Sequence, residues 1–278
     1  DAIVFNPALI AYEQRITLDA AYTALFSSDG GSDIFGGAFQ GGLLVPWRYF
    51  VASGIIKGVF LPIDKIDIGN TLSTNVGIAK EVSERLSVGV GMYGGLYWGH
   101  GSDWSFGANI GALYRIPRLG FMKDFRLGVS VLNLGKNYTS TDLIGIDGKN
   151  EADMFPMLGT VHAGVAALLF ENDYVKGGAS FELITPGFQN LIVATGFHFS
   201  VNDALYLRIA EEINIREAIK LNDYDKYGNF MPAVSIGYRF TFKTKRNEYM
   251  KRNGWGESDM TVNAGWQQLY ETVHAVSG

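Results

Sequence analysis

The chain has 278 residues, 47% of them hydrophobic and only 18% charged, with 35 glycines and a formal net charge of −5. It has no cysteine, which excludes disulfides, thiolate metal sites and a cysteine nucleophile, and its mildly acidic balance argues against nucleic acid as a partner. No apolar run reaches the length of about 18 residues that a membrane-spanning helix needs, a limit that leaves membrane strands untouched.

Residues 1–14 do not alternate between apolar and polar positions. Asn6-Pro7 favours a turn, and Pro7 can open a short helix. Two readings stay open for this stretch from the residues alone, a frayed terminus and a small plug folded into a barrel mouth.

A two-residue rhythm then takes over, the mark of strands with one apolar face. Residues 15–27 put Ile16, Leu18, Ala20, Tyr22 and Phe26 opposite Thr17, Asp19 and Thr23. Residues 33–45 are glycine-rich. Residues 49–61 set Phe50, Ala52, Ile56 and Phe60 against Ser53 and Lys57, and residues 70–82 set Leu72, Thr74, Val76 and Ile78 against Asn75, Gly77 and Glu81. The pattern is cleanest in residues 86–115. Val88, Val90, Met92, Leu96 and Trp98 face one way in the first half, and Trp104, Phe106, Ile110 and Tyr114 in the second. Small or polar residues fall between them, with Leu113 the exception. Further runs follow at 124–134, 159–170, 174–184, 189–200, 204–213 and 232–243. Each run is about ten residues or a little longer, which suits a tilted membrane strand.

The sum is about 12 antiparallel strands with lipid outside and small or polar side chains inside, an all-β transmembrane barrel over residues 15–243. Trp104, Ile110, Phe197 and Phe240 are expected to face lipid. Connections after even-numbered runs are mostly tight, as at Ser83-Glu84-Arg85 and Val201-Asn202-Asp203. Those after odd-numbered runs are often long, as at 62–69, 135–158 and 214–230. Barrels of the bacterial outer membrane sort their loops this way, which puts the N-terminus in the periplasm. Residues 116–123 are an exception, long on the short side. Residues 244–278 change character, with charges and scattered aromatics. They read as a periplasmic tail or as the start of a final hairpin.

Chemistry-bearing motifs are scarce. Gly89-Val90-Gly91-Met92-Tyr93-Gly94 fits G-x-G-x-x-G but lies inside an alternating strand, whereas a dinucleotide loop needs a helix to follow. Asn222 to Gly228 resembles part of a calcium loop, but its closing acid would fall on Val234. The four histidines lack ligand spacing, and no nucleophile arrangement is present, so neither an enzyme nor a cofactor is expected. The polar residues that the rhythm turns toward the lumen are Lys57, Arg115, His162, Lys176, Glu182, His198, Arg208 and Arg239. They are expected to pair with one another, because a buried charge needs a partner or water. A selective path through the barrel is the sharper alternative.

Two short motifs carry a resemblance. Asn6-Pro7-Ala8 precedes the first strand, and Asn133-Leu134-Gly135 closes the strand that runs from Leu127 to Leu132. Together they resemble the FadL superfamily of outer-membrane barrels. The shorter branch, with the type IX secretion protein PorV and FadL-like proteins of spirochaetes, is the nearest likeness. The resemblance implies a barrel of about 14 strands whose N-terminal segment is a hatch. By position the hatch is residues 1–14, with Phe5, Asn6, Pro7 and Ala8 as ligand-binding residues. It also implies passive uptake of hydrophobic small molecules such as long-chain fatty acids through a lateral opening. Gly36-Gly37 and Gly41-Gly42 are candidates for the strand kink that such an opening needs. The PorV-like branch implies instead a membrane anchor that binds a protein partner in secretion or surface assembly through its outer loops or residues 244–278. Outer-membrane lipid is the common partner under both readings.

Overall fold

Side chains that alternate strictly leave each strand with one face that must avoid water. The computed structural model resolves this by closing the sheet on itself, with the apolar faces outward. It describes residues 2–27, 35–60, 69–99, 101–136, 159–188, 190–215, 218, 232–243, 257–268 and 273–278. The strands are β1 (Thr17–Ser27), β2 (Phe35–Pro46), β3 (Val51–Phe60), β4 (Asn70–Glu81), β5 (Leu86–Trp98), β6 (Ser102–Leu119) and β7 (Met122–Lys136). They continue as β8 (Thr160–Glu171), β9 (Val175–Thr185), β10 (Ile192–Val201), β11 (Leu205–Asn214), β12 (Ala233–Lys243), β13 (Glu257–Gln268) and β14 (Val273–Ser277). Each pairs antiparallel with its neighbours in sequence, and β14 pairs with β1 to close the barrel. β14 joins Thr23–Ser27 of β1 to Gly265–Gln268 of β13, and closure of the sheet in this way is what permits it to stand in lipid.

The four marker residues face outward. Trp104, Ile110, Phe197 and Phe240 are 54%, 52%, 49% and 44% exposed on the outer surface. Aromatic rings gather on that surface toward the strand ends. Phe39 stacks on Phe60 at 5.8 Å, and Phe60 meets Trp98 edge-on at 6.0 Å. Such rings suit the boundary between hydrocarbon and headgroups.

The long connection expected at 116–123 is absent. β6 runs to Leu119 and β7 starts at Met122, so Gly120 and Phe121 alone make the turn. Gly120 has φ 62, a left-handed conformation that glycine adopts without a Cβ clash. Asn202, Asp203 and Ala204 make a three-residue turn between β10 and β11, with Asn202 and Asp203 at φ 54 and 50. The β2–β3, β4–β5, β6–β7, β8–β9 and β10–β11 turns therefore share one end of the barrel. The long connections at 61–68 and 137–158, and 216–231 apart from residue 218, lie outside the described residues, as does the Asn222 to Gly228 stretch.

The kink expected at Gly36-Gly37 and Gly41-Gly42 does not form. β2 keeps continuous register with β1 and with β3 through all four glycines. The outward ring of Tyr22 lies over Gly37 and fills the space a side chain would take, so nothing bends the strand there. Register shifts instead between β6 and β7 at Ala108/Ile110, between β7 and β8 at Lys123/Arg126, and between β8 and β9 at Leu168/Phe170.

Residues 257–268 and 273–277 supply β13 and β14. Within β13, Met260, Val262 and Trp266 face out, in register with Phe240, Tyr238 and Val234 of β12. The wall thus runs beyond residue 243, where the strong alternation stops.

Candidate functional site at the N-terminal segment

Residues 2–12 precede the sheet and lie along its inner wall on β3 to β7. A single helical turn, α1 (Ala2–Phe5), is followed by a 3-10 helix over Pro7–Tyr12. Asn6 joins the two. Its extended backbone (φ −158) and side chain cap the second helix, with Oδ1 accepting from the Ala8 N–H at 2.9 Å. Pro7 opens that helix, where its missing N–H costs nothing. The Asn6 Nδ2 donates to the backbone carbonyls of Ala112 on β6 and Val129 on β7, at 3.1 and 3.3 Å. Farther up, the Ser130 hydroxyl donates to the Phe5 carbonyl at 2.7 Å.

The wall is shaped to receive this segment. Gly89 on β5 and Gly111 on β6 both point inward. A Cβ on Gly89 would come within 2.6 Å of the Pro7 carbonyl oxygen and the Ala8 nitrogen, and one on Gly111 would collide with the Asn6 side chain. The two glycines let backbone lie on backbone. This accounts for Gly89 in the G-x-G-x-x-G match without a nucleotide. Around them Ile3, Ile10 and Ala11 pack on Val51 and Ile55 of β3 and Ala79 of β4. Those three wall residues sit on the inner, polar phase of their strands. They were missed by a reading that looked for charge inside. Leu113, 4% exposed on the inner face of β6, is a further case and the single one that stands out in the sequence.

Asn6, Pro7 and Ala8 are buried by this packing, while Phe5 remains half-exposed at the end of α1. Phe5 and Ser130 lie a short way along β7 from a bulge. There Asn133 takes a left-handed conformation, φ 57, and its N–H donates to Asn109 Oδ1 at 2.7 Å. Asn109 in turn donates to Asn75 Oδ1 at 3.4 Å. A Cβ on Gly135 would come within 2.7 Å of the Gly107 Cα. The Asn133-Leu134-Gly135 motif therefore marks the place where β7 breaks step with β6.

The strand register turns Lys57, Arg115, His162, Lys176, Glu182, His198, Arg208 and Arg239 to the inner face, but they do not form one site. Arg115 pairs with Asp124, which also holds Arg126, and its guanidinium lies 5.3 Å from the Tyr12 ring centre. His162 Nδ1 meets Glu182 at 2.6 Å. Lys176 meets Asp203 at 2.9 Å and Glu171 at 3.8 Å, and Lys123 joins Glu171 at 3.1 Å. Arg239 lies 5.0 Å over the Tyr206 ring. Lys57 faces Gln40 across β2–β3, and Gln40 donates to Asp19 at 3.2 Å. His198 and Arg208 face each other across β10–β11. Among the described residues neither has a carboxylate partner.

No protein-family model and no curated protein matches the sequence. Solved structures do match. A crystal structure of a Pseudomonas aeruginosa FadL homologue aligns with a TM-score of 0.57 at 12% identity, over 99% of this chain and 91% of that one. The barrel shares the fold of that FadL homologue. A deltaS2 mutant of the TodX monoaromatic hydrocarbon channel aligns with a TM-score of 0.50 at 8% identity, with the same coverage of 99% and 91%. At such identities the likeness is one of fold, and the FadL-type fold here is a closed barrel with a segment seated on its inner wall.

Proposed function

We propose that this chain is an outer-membrane channel for passive uptake of hydrophobic small molecules, long-chain fatty acids among them, and not an enzyme. Residues 1–14 act as its hatch, with the N-terminus on the periplasmic side. The observation that carries this reading is the placement of Phe5. Its side chain stands half-exposed where α1 meets the 3-10 helix of the docked segment, near the bulge where β6 and β7 lose step. An apolar molecule entering the lumen meets Phe5 first. It then meets a wall whose ladder is already interrupted, and a gap there opens sideways into lipid. Sideways release keeps a hydrophobic solute out of water, which favours that exit over an axial one.

The test is a binding measurement on the purified barrel. In Phe5→Trp, the added indole reports on the lumen, and emission in excess of wild type is followed while a brominated fatty acid is added. Saturable quenching of that excess is expected. Emission that stays level through the titration removes Phe5 from any ligand path and the uptake reading with it.

A further inference from the structure

The docked segment lies on β3 to β7, and no other described segment covers the opposite arc. Strands about 4.8 Å apart and tilted about 40° close a 14-stranded barrel of about 28 Å backbone diameter, with about 17 Å between inner side chains. A segment one helix wide, about 10 Å, fills little more than half of that span. Burial follows the geometry along much of both arcs, with Ser200 of β10, 6% exposed, an exception near the tight-turn end. On the covered arc the inward Ser87, Asn109 and Ser130 are 0%, 2% and 1% exposed. On the bare arc the inward Ser180, His198, Arg208, Ala210 and Glu212 are all exposed. Beside them lies a cavity of about 310 Å³, lined among others by Thr23, Arg208, Ala210, Ser235, Gln267 and Ser277. Val234 and Trp266 of the same lining belong to the outward phase of their strands, and its inward members are small or polar. A guanidinium without a carboxylate is stable in such a place when water reaches it.

We propose that this arc is a standing aqueous path past the docked segment, which passes small hydrated ions and polar solutes without any movement of residues 2–12. Arg208 and His198 bias it toward anions. The path is independent of hydrophobic uptake, which uses the covered wall and the β6–β7 bulge.

Single-channel recording of the purified protein in a planar lipid bilayer tests it. The chain has no cysteine, so A210C carries a unique thiol, and A233C faces the same spot from the next strand if A210C folds poorly. Current steps are expected from the folded wild type. A negatively charged, water-soluble thiosulfonate is expected to reduce them in either variant and to leave wild type unchanged. R208E reverses one lumen charge and is expected to lower the anion-to-cation permeability ratio about thirtyfold, the Coulomb effect of the reversal about 8 Å away through water acting on the anion and, oppositely, on the cation. Folded protein that carries no current above bare lipid overturns the path, and so does current indifferent to thiol modification. Either result leaves Phe5 quenching by an apolar ligand unaffected, so the two readings fail separately.

Discussion

The inner wall of this barrel is two surfaces built from one strand pattern. On β3 to β7 the inward positions beneath the docked segment are mainly glycine, serine, asparagine and aliphatic residues, with Arg115 reaching Tyr12 at their margin. On β8 to β12 they carry His198, Arg208, Glu212 and Arg239 and stay bare or meet only one another. The contrast shows that an inward position is not a fixed environment. Gly89 and Gly111 admit a second layer of chain because they carry no side chain, whereas Ser180 and Ala210 are nearly as small and no described segment covers them.

The strongest way to break the contrast is to put a side chain where the wall needs none. Gly89→Val places carbon against the Pro7 and Ala8 backbone, which cannot turn aside as a side chain can. Expulsion of residues 2–12 is expected, seen as rapid protease cleavage of the N-terminal segment with the barrel intact. Gly196→Val on β10 is the matched control. Its Cβ meets the Ser180 hydroxyl at 2.7 Å, a group free to rotate. Protection should stay at the wild-type level there.

A milder change should loosen the segment without expelling it. Ile10 is 3% exposed at the centre of the apolar cluster. Ile10→Ala is expected to cost about 2–4 kcal/mol of docking free energy. Hydrogen exchange of the N–H groups of residues 9–13 is the readout, because their bonds exist only in the docked form.

These two changes mark what the sequence alone could tell. The outer face was legible because lipid imposes one demand on every strand, and Trp104, Phe197 and Phe240 obey it. The docking wall was not. The inner phase of β3 alternates Val51, Ser53, Ile55, Lys57 and Val59, and that of β4 carries Ala79 among polar residues, a mixture that does not say which inward positions meet a second layer. The hatch turn was legible through Asn6-Pro7, but its seat depends on contacts with Gly89 and Gly111, far away in sequence. β13 was obscured because Glu257, Ser258 and Asp259 crowd its start, and β14 is too short for a period to register. The aliphatic–polar rhythm also gave no hint that Asn133 would bulge, since a left-handed residue leaves the composition unchanged.

Asn6→Ala sharpens the comparison further. It removes a helix cap and two donations to the wall, and about 1–2 kcal/mol of docking is expected to go with them. Asn6→Asp keeps the acceptor for the Ala8 N–H but aims a carboxylate at two carbonyl oxygens on a dry surface. It is expected to undock the segment more than alanine does, the reverse of the ranking on an exposed helix. Exchange rates in the two variants decide it.

The smallest effect belongs to the rim, where the covered wall ends. Asp124 holds Arg115 and Arg126 at the tight-turn end of β6 and β7, with the guanidinium side chains 39% and 46% exposed and the carboxylate 17%. Exposure of that degree screens the attraction, so Asp124→Asn is expected to cost less than about 1 kcal/mol. The substitution suits the site. Asp124 has φ 48, a left-handed conformation that asparagine accepts as readily as aspartate, so only charge changes. The thermal midpoints of the two proteins should differ by a small amount at low salt and converge in concentrated salt, where the Debye length shrinks to about 3 Å. A larger difference that ignores salt would mean that the ion pair is sealed from water by Tyr12, whose ring lies 5.3 Å from Arg115. The dry surface would then extend to the barrel rim, and the docked segment would seal the covered arc along its whole length.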